Sequence, residues 1–599
     1  MSGYWSQYLE VDLTTESIQV KPIPTHVSEK YLGGRGIGAY LYLQYAPDPN
    51  VDPFGEDNPV ILAVGPITGM PVSGSGRASA TTRSPLTNTL LDTNAGGMFG
   101  PFFKFTGYDA LVVKGQAERP VMLNISDKGV EILDAQSLWG LSTQDTTKFL
   151  KEQSSQGASI LSIGQASENG VLYGSVCVDG HRHFGRGGLG SVWASKKLKA
   201  IAVKGTKRPE IGNKEAFDAA NYELIKVMKA NPITSKVLPA LGTNALMEVI
   251  NFFGMLPTRN FQKGVFESIQ KVDGEAIADT LLRKQSGCWG CVIRCGRRTE
   301  VNGISGDGPE YETNWALGPN LGIDDLSVIT QANYLCNAYG MDSISAGGSI
   351  SYAMEATEKG LHDFGIRFGE KEKLIELIHK IATCQDEGKH LALGSKRLSD
   401  QFGGAEFAMN VKGMELAAYD PRGSMGMGVG YATSNRGACH LRGGYSVGYE
   451  ELGTPRRINR LAVSGKGTHV ARSQDIGAFY DSAVVCRFNS YAVSMDIWAR
   501  ILNGVSGTDY TSAEVEAIGA RVHNLERLIN LKLGFSKKDD TLPKRLLTEP
   551  LKEGLSKGRT VPLEEMLQEY YDYRGWDDQG IPTPATIERF QLKEDVPWL

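Results

Sequence analysis

The sequence predicts a mixed α+β chain of several domains, with strands gathered in the N-terminal part and helices after them. Three observations carry this. The 599 residues exceed the length over which one hydrophobic core keeps growing, so about three domains are expected. Up to about residue 210, apolar residues fall in short alternating or β-branched runs divided by turn residues. From Asn213 onward the apolar spacing lengthens to three and four residues, the period of a helix.

In chain order, strands are expected at residues 8–13, 18–20, 59–64, 110–114, 121–125 and 200–204. Between them lie three glycine-flanked polar stretches that read as loops: Gly74-Ser-Gly76-Arg77, Asp92-Thr-Asn94-Ala-Gly96-Gly97, and the run from Arg182 to Gly190. Such loops can aim backbone N–H groups at a phosphate, although each alone is more often a plain turn. Helical periodicity follows, clearest over 370–384 and 512–533, and a glycine-dense span at 423–448 interrupts it. The resulting division is a β-rich domain at 1–210 and two mainly helical domains at 211–415 and 416–599.

Composition narrows the function. Hydrophobic residues at 41%, charged residues at 22% and 71 glycines describe a globular, loop-rich enzyme. No apolar run approaches the roughly 20 residues of a membrane span, and the first residues lack the layout of a signal peptide, so a cytoplasmic location is expected. A net charge of −5 without a basic face argues against a nucleic-acid partner. Gly34-Arg-Gly36-Ile-Gly38 follows a helical stretch rather than a strand and so fails the dinucleotide fingerprint; no G-x4-G-K-[ST] sequence occurs.

The sharpest signal is Cys288-Trp-Gly-Cys291-Val-Ile-Arg-Cys295, three of the chain's eight cysteines in eight residues. The run is too crowded for three disulfides and one ligand short of a structural zinc site. A [4Fe–4S] cluster fits, with a fourth cysteine from elsewhere. Cys177, Cys336, Cys384 and Cys439 stand singly and read as buried thiols of a reducing compartment.

The loops and the cysteine run, taken with Gly308-Pro-Glu310-Tyr-Glu312-Thr, Asn337-Ala-Tyr-Gly340-Met-Asp342, Asn435-Arg-Gly-Ala-Cys-His440-Leu-Arg442, Asp481-Ser-Ala-Val-Val-Cys486 and Tyr571-Asp-Tyr-Arg-Gly-Trp-Asp, resemble in order the aldehyde ferredoxin oxidoreductase family. The resemblance runs essentially end to end. It implies a tungsten bis-pyranopterin cofactor cradled first by the N-terminal domain, and Cys486 as the fourth ligand of one [4Fe–4S] cluster with Cys288, Cys291 and Cys295. Two copies of a D-x-x-G-L-[CD] motif imply two pterins. Asn337 to Asp342 has Asn at its first position; Asp481 to Cys486 has Val484 where the family commonly shows Gly. Asp342 and Asp481, with Asn337 and Val485, are the implied pterin contacts, carboxylates being matched acceptors for pterin N–H donors. Arg77, Asn94, Gly96, Arg182 and Arg442 match the remaining cofactor contacts, chiefly at the phosphates, and the backbone near Asn94 with His183 is expected to hold a bridging Mg2+.

Glu312 and His440 match the residues beside the metal and are the expected proton-handling pair. The implied reaction is reversible oxidation of an aldehyde to a carboxylic acid, with electrons leaving through the cluster to ferredoxin or an iron–sulfur subunit. A related alternative is the catalytic subunit of a tungsten benzoyl-coenzyme A reductase, whose metal takes a cysteine ligand; Cys439 is the nearest candidate. A non-catalytic redox-relay subunit is the third reading. Some family homodimers bridge subunits with a metal held by two E-x-x-H motifs. Only Glu376-Leu-Ile-His379 is present, the other stretch reading Gln331-Ala-Asn-Tyr-Leu. An oligomer without that metal is expected, including one with a ferredoxin-like subunit and a flavin subunit linked to NAD.

Overall fold

The computed structural model describes residues 1–153 and 157–599. Two six-stranded sheets form the N-terminal part. The first holds β1 (Gln7–Asp12), β2 (Ser17–Pro22), β3 (Val60–Ala63), β4 (Arg77–Arg83), β5 (Leu90–Gly96) and β6 (Ala110–Lys114) in the order β2-β1-β6-β3-β4-β5. The second holds β7 (Val121–Ser126), β8 (Gly129–Asp134), β9 (Ser159–Ser162), β10 (Val176–Val178), β11 (Arg182–Phe184) and β12 (Leu198–Lys204) in the order β11-β10-β9-β12-β7-β8. Only β1–β6 and β7–β12 are parallel; the other pairs are antiparallel.

The apolar runs explain this layering. Val60 and Leu62 point into a core shared with the second sheet, where Leu123, Ile125, Ile201 and Val203 meet them. Their neighbours Ile61 and Ala63 point to the opposite face. A strand covered on both faces reads as a continuous apolar run rather than an alternating one. The outer face is covered by α1 (Gly34–Tyr45) and by Val522, Leu525 and Ile529 of a long C-terminal helix.

The helical part contains α2 (Tyr311–Leu317), α3 (Leu326–Tyr339), α4 (Ser343–Glu358), α5 (Lys466–Ala483) and α6 (Ser512–Lys532), with shorter helices between. A three-stranded sheet interrupts them: β13 (Leu282–Ser286), β14 (Gly296–Val301) and β15 (Ile304–Asp307). Helix α5 is buried nearly all round, packing on α6, on α1 and on the helices Met425–Thr433 and Leu563–Arg574. It therefore lacks a polar stripe. Among the described residues no helix is long and apolar enough to cross a membrane.

The predicted α+β order is what the structure shows, and each expected strand is present to within two residues at either end. Four local expectations need correction. Asp92 to Gly96 is not a loop but the end of β5, paired with β4 through Arg77↔Gly96, Ala78↔Ala95 and Ser79↔Asn94. Arg182 to Phe184 is β11, an edge strand, before the chain turns through Gly185 to Gly188. The glycine-dense span contains the helix Met425–Thr433, wholly buried, where Gly430 lets the backbone of Gly443 approach so closely that a Cβ would lie 2.4 Å from its carbonyl oxygen. Cys384 is only part-buried, at a left-handed φ of 51° beyond the helix Leu374–Ala382, unlike the buried Cys177, Cys336 and Cys439.

Candidate active site

One cavity of about 400 Å3 lies where the N-terminal sheets meet the helical part. All sixteen residues singled out above line it: Glu312 and His440; Arg77, Asn94, Gly96, Arg182, His183, Asn337, Asp342, Arg442, Asp481 and Val485; Cys288, Cys291, Cys295 and Cys486. They come from widely separated parts of the chain, and the fold closes these distances with few elements.

The three-cysteine run is the connection of the β13–β14 hairpin, whose register pairs Ser286 with Gly296. Cys486 arrives from the other side, just after α5. That helix ends at Val484, which caps it in the left-handed conformation (φ 60°, ψ 47°). The turn sends Cys486 N–H to the Gly74 carbonyl, 3.0 Å away, and leaves Asp481 at the helix end facing the same cavity. Gly96 has room for no side chain: a Cβ there would lie 2.7 Å from Cys288 Sγ and 3.4 Å from an Arg77 guanidinium nitrogen. Burial pushes the Cys486 thiol up to about 11, against the pull of Arg77, and pushes Cys295 up further. Among the described residues no three His, Cys, Asp or Glu side chains can enclose one metal ion.

Glu312 is the second residue of α2. Its Oε2 accepts from the Ala418 N–H at 3.0 Å, while Oε1 has no hydrogen-bond partner and lies 3.6 Å from His440 Nε2. Burial raises the Glu312 carboxyl to about 8, although the Ala418 N–H and Arg186 oppose it. Burial, then Arg186, Arg436 and Arg442, push His440 well below its usual range. Near pH 7 the pair is a carboxylic acid beside a neutral imidazole. Tyr419 and Tyr445 flank the imidazole with ring centroids 5.7 and 6.1 Å away.

The polar end of the cavity is built on buried ion pairs. Asp342 caps α4, accepting from Ile344 N–H at 3.0 Å and Ser345 Oγ at 2.8 Å, and takes Arg186 Nε at 3.2 Å. Asp481 lies 3.4 Å from Arg35 and 3.5 Å from Arg442. Arg442 also grips Asp92, and Arg35 makes a two-pronged pair with Glu526 at 2.6 Å. Arg77 Nε donates to Asn94 Oδ1 at 2.6 Å, and Arg182 pairs with Glu310 at 2.8 Å. His183 shares a hydrogen bond with Ser175 Oγ at 2.9 Å through Nδ1. Burial holds its imidazole neutral, down to about 3.

Arg35, Asp92, Arg186 and Glu526, whose ion pairs hold Asp342, Asp481 and Arg442 in place behind the cavity lining, are residues that sequence reasoning misses. Arg35 and Arg186 stand within glycine motifs, but the first motif fails the dinucleotide fingerprint and in the second Arg182 carries the family match. Asp92 opens the second glycine-flanked stretch, where Asn94 and Gly96 carry the family match, and nothing local marks Glu526; the meaning of both depends on pairing across the fold. Glu376 and His379 are spent locally: Glu376 pairs with Lys380 at 2.8 Å, and His379 Nδ1 meets the Tyr339 hydroxyl at 2.5 Å.

Eight buried polar atoms of cavity-lining residues have no hydrogen-bond partner among the described residues: Asn94 Nδ2, His183 Nε2, Asp307 Oδ1 and Oδ2, Glu312 Oε1, His440 Nδ1, and Arg487 Nε and Nη1. Buried polar atoms rarely stay unpaired, so a cavity with eight of them is shaped for a polar ligand. Open acceptors and donors, paired carboxylates, guanidinium groups and four thiols fit a phosphate-bearing heterocyclic cofactor beside an iron–sulfur cluster.

Two family models match the chain, "Aldehyde ferredoxin oxidoreductase, N-terminal domain" over residues 8–205 and "Aldehyde ferredoxin oxidoreductase, domains 2 & 3" over residues 219–592. Among curated proteins, a tungsten-containing aldehyde ferredoxin oxidoreductase of Pyrococcus abyssi is 44% identical over 609 aligned positions, covering 100% of both chains. The WOR-like subunit of an aliphatic sulfonate oxidoreductase of Pyrococcus furiosus is 28% identical, covering 99% of this chain and 98% of the other. Among solved structures, the active site complex BamBC of benzoyl coenzyme A reductase superposes with a TM-score of 0.85 at 23% identity, covering 99% of this chain and 98% of that one.

Proposed function

The chain belongs to the aldehyde ferredoxin oxidoreductase family, and on that premise we propose that it is a tungsten-dependent enzyme that oxidises aldehydes to carboxylic acids, reversibly, and passes the electrons through one [4Fe–4S] cluster to ferredoxin or an iron–sulfur partner subunit. The observation that carries the reading is the Glu312–His440 pair, 3.6 Å apart and part-buried, in a cavity that the four cysteines also line.

Each part of the chain has a share in holding the cofactors. The N-terminal part (1–210) supplies Arg77, Asn94, Gly96 and Arg182 to the pterin phosphates, with His183 and the Asn94 backbone placed for Mg2+; the open Nε2 of a neutral His183 is a competent ligand atom. The middle part (211–415) supplies Asn337, Asp342 and three cysteines, and the last part (416–599) supplies Arg442, Asp481, Val485 and Cys486. When bound, the pterin-held metal accepts two electrons from the substrate and the cluster carries them away singly.

The protein's own work is proton handling. Oxidising an aldehyde adds the oxygen of one water and releases two protons with the two electrons. His440 donates a hydrogen bond to the aldehyde oxygen from its neutral ring. Glu312, when ionised, takes a proton from the attacking water through its open Oε1, and in the reverse direction its protonated form returns one. Tyr311, Tyr419 and Tyr445 give the same end of the cavity apolar walls.

The benzoyl-coenzyme A reductase reading is less well supported because Cys439 does not line the cavity; its Sγ is buried between Arg436 Nη2 at 2.9 Å and the Arg442 N–H at 3.4 Å. The part-buried acid–imidazole pair speaks against a mere relay. Benzaldehyde oxidation with a viologen dye, together with metal analysis, tests the proposal. About four irons and one tungsten per chain with turnover are expected. Zinc without iron, or no turnover by tungsten-loaded protein, would overturn it.

A further inference from the structure

A base that has taken a proton from the reacting water must pass it on before it can act again. The segment that carries His440 leads from the active site toward a second cavity. The N–H of Tyr445 donates to the His440 carbonyl at 3.0 Å, and Tyr445 lines the active-site cavity. The short helix Val447–Glu450 follows, with Glu451 at its end. Glu450 lines a separate cavity of about 440 Å3 together with Arg457, Ile458, Asn459, Arg460 and Leu461. Arg457 and Asn459 are exposed, so this second cavity opens to solvent.

Both carboxyls are buried, at 1% and 7% exposure, but they are bound differently. Glu450 accepts from the Ser424 hydroxyl, from the Gly426 N–H at 3.2 Å and from Lys466 Nζ at the start of α5. Neither oxygen of Glu451 has a hydrogen-bond partner among the described residues. Burial, then the neighbouring Glu450, push the Glu451 carboxyl well above its usual range, although Arg460, Lys466 and the Ser424 hydroxyl that faces it oppose them. Phenols stand on its other side. Tyr311 and Tyr445, both in the wall of the active-site cavity, lie in the field of Glu312 and of Glu451 alike. Glu451 is thus set between the tyrosine wall and the Ser424–Glu450 pair that borders the second cavity. A carboxyl kept for structure has its hydrogen bonds made, because an unpaired buried polar group costs stability. Glu451 has none to make and is held as a neutral acid, the form that can give a proton.

We propose that Glu451 is a relay residue that carries the protons released beside Glu312 from the tyrosine wall to Glu450 and out through the second cavity. The inference rests on the oxidoreductase reading above. Glu451 gives its proton to Ser424 Oγ as the Ser424 hydroxyl proton passes to Glu450, Glu450 releases a proton to water in the second cavity, and Glu451 is reprotonated from the tyrosine side. Two such passages per aldehyde carry away the two protons, the two electrons leave separately to the acceptor, and each residue ends as it began.

Glu451→Gln keeps the shape, removes the titration and breaks no hydrogen bond; Glu451→Ala also opens space. For Glu451→Gln the expected results are unchanged iron and tungsten content, a KM for benzaldehyde within about twofold of wild type, and a dye-linked kcat lowered about tenfold or more. Added imidazole should restore several-fold of the lost rate in Glu451→Ala, where a small diffusible acid–base can stand in for the carboxyl, and leave the wild-type rate unchanged. A kcat for Glu451→Gln within about threefold of wild type would overturn the proposal. So would a loss in Glu451→Ala that imidazole does not relieve, since that marks a structural role. Infrared spectra need no turnover: the wild type should show the carbonyl stretch of a protonated carboxyl that Glu451→Gln lacks. Turnover without that band would overturn the relay alone, while no dye-linked turnover by the wild type, with the band present, would overturn the enzymatic reading and the relay with it.

Discussion

Glu312 has one carboxylate oxygen tied to the Ala418 N–H and one left open toward His440, and that asymmetry is what a proton-transfer residue needs. The held oxygen fixes the side chain; the free one meets the reacting water. Replacing it in Glu312→Gln keeps the shape and removes the titration, so kcat should fall by about a hundredfold or more, measured with a dye acceptor. A loss below about threefold would remove Glu312 from the chemistry. The sign of the pH dependence follows from the raised carboxyl. Below about 8 Glu312 is protonated and cannot act as base, so oxidation by the wild type should rise with pH toward about 8 and level off, while the glutamine variant shows no such limb. Acid reduction should run the other way, favoured where Glu312 still carries its proton. Both site residues are legible in the sequence only through the motifs around them. Arg35 and Arg186, more deeply buried and paired with Asp481 and Asp342, are not, because a buried arginine takes its meaning from partners that lie in other parts of the chain.

At the scale of elements, strands covered on both faces are readable as apolar runs, and their bounds are recovered closely. The β5 and β11 segments read as loops because glycine and polar residues dominate them; there the strands bring backbone and small side chains to the cavity, with Leu90, Leu91, Ala95 and Phe184 joining the core. Gly96 is the clearest case. Gly96→Ala would place a methyl group 2.7 Å from Cys288 Sγ, with the strand pairing to β4 preventing escape. The purified variant should carry less than half the iron of the wild type, with its circular dichroism spectrum preserved. Full iron content would show that the hairpin yields instead. The helix within the glycine-dense span is hidden for a related reason: its glycines cost helix propensity and are kept by close backbone contact, which propensity cannot foresee.

At the scale of the molecule, the N-terminal sheets, the cysteine hairpin and α5 all contribute residues to the lining of the active-site cavity. A ligand that binds only the folded chain stabilises it by mass action, so removing the cofactors should lower Tm; stripping iron by chelation under reducing conditions is expected to cost several degrees, read by calorimetry. An unchanged Tm would mean that the parts hold together without the cluster. The left-handed cap of α5 has a wider consequence. A β-branched residue at φ 60° is unfavourable by about 1–2 kcal/mol, and Val484 also fills the space that side chains at positions 34 and 65 would occupy, its Cγ2 lying 2.4 and 3.2 Å from where their Cβ atoms would stand. Positions 34, 65 and 484 thus share a single volume. Where a relative has glycine at the cap, the vacated space removes one obstacle to a larger residue at position 65; where it has valine, glycine at position 34 is obligatory. The bend that aims Asp481 and Cys486 at one cavity therefore constrains three positions far apart in the chain, two of them crowded also by the carbonyls of Asp481 and Ala483.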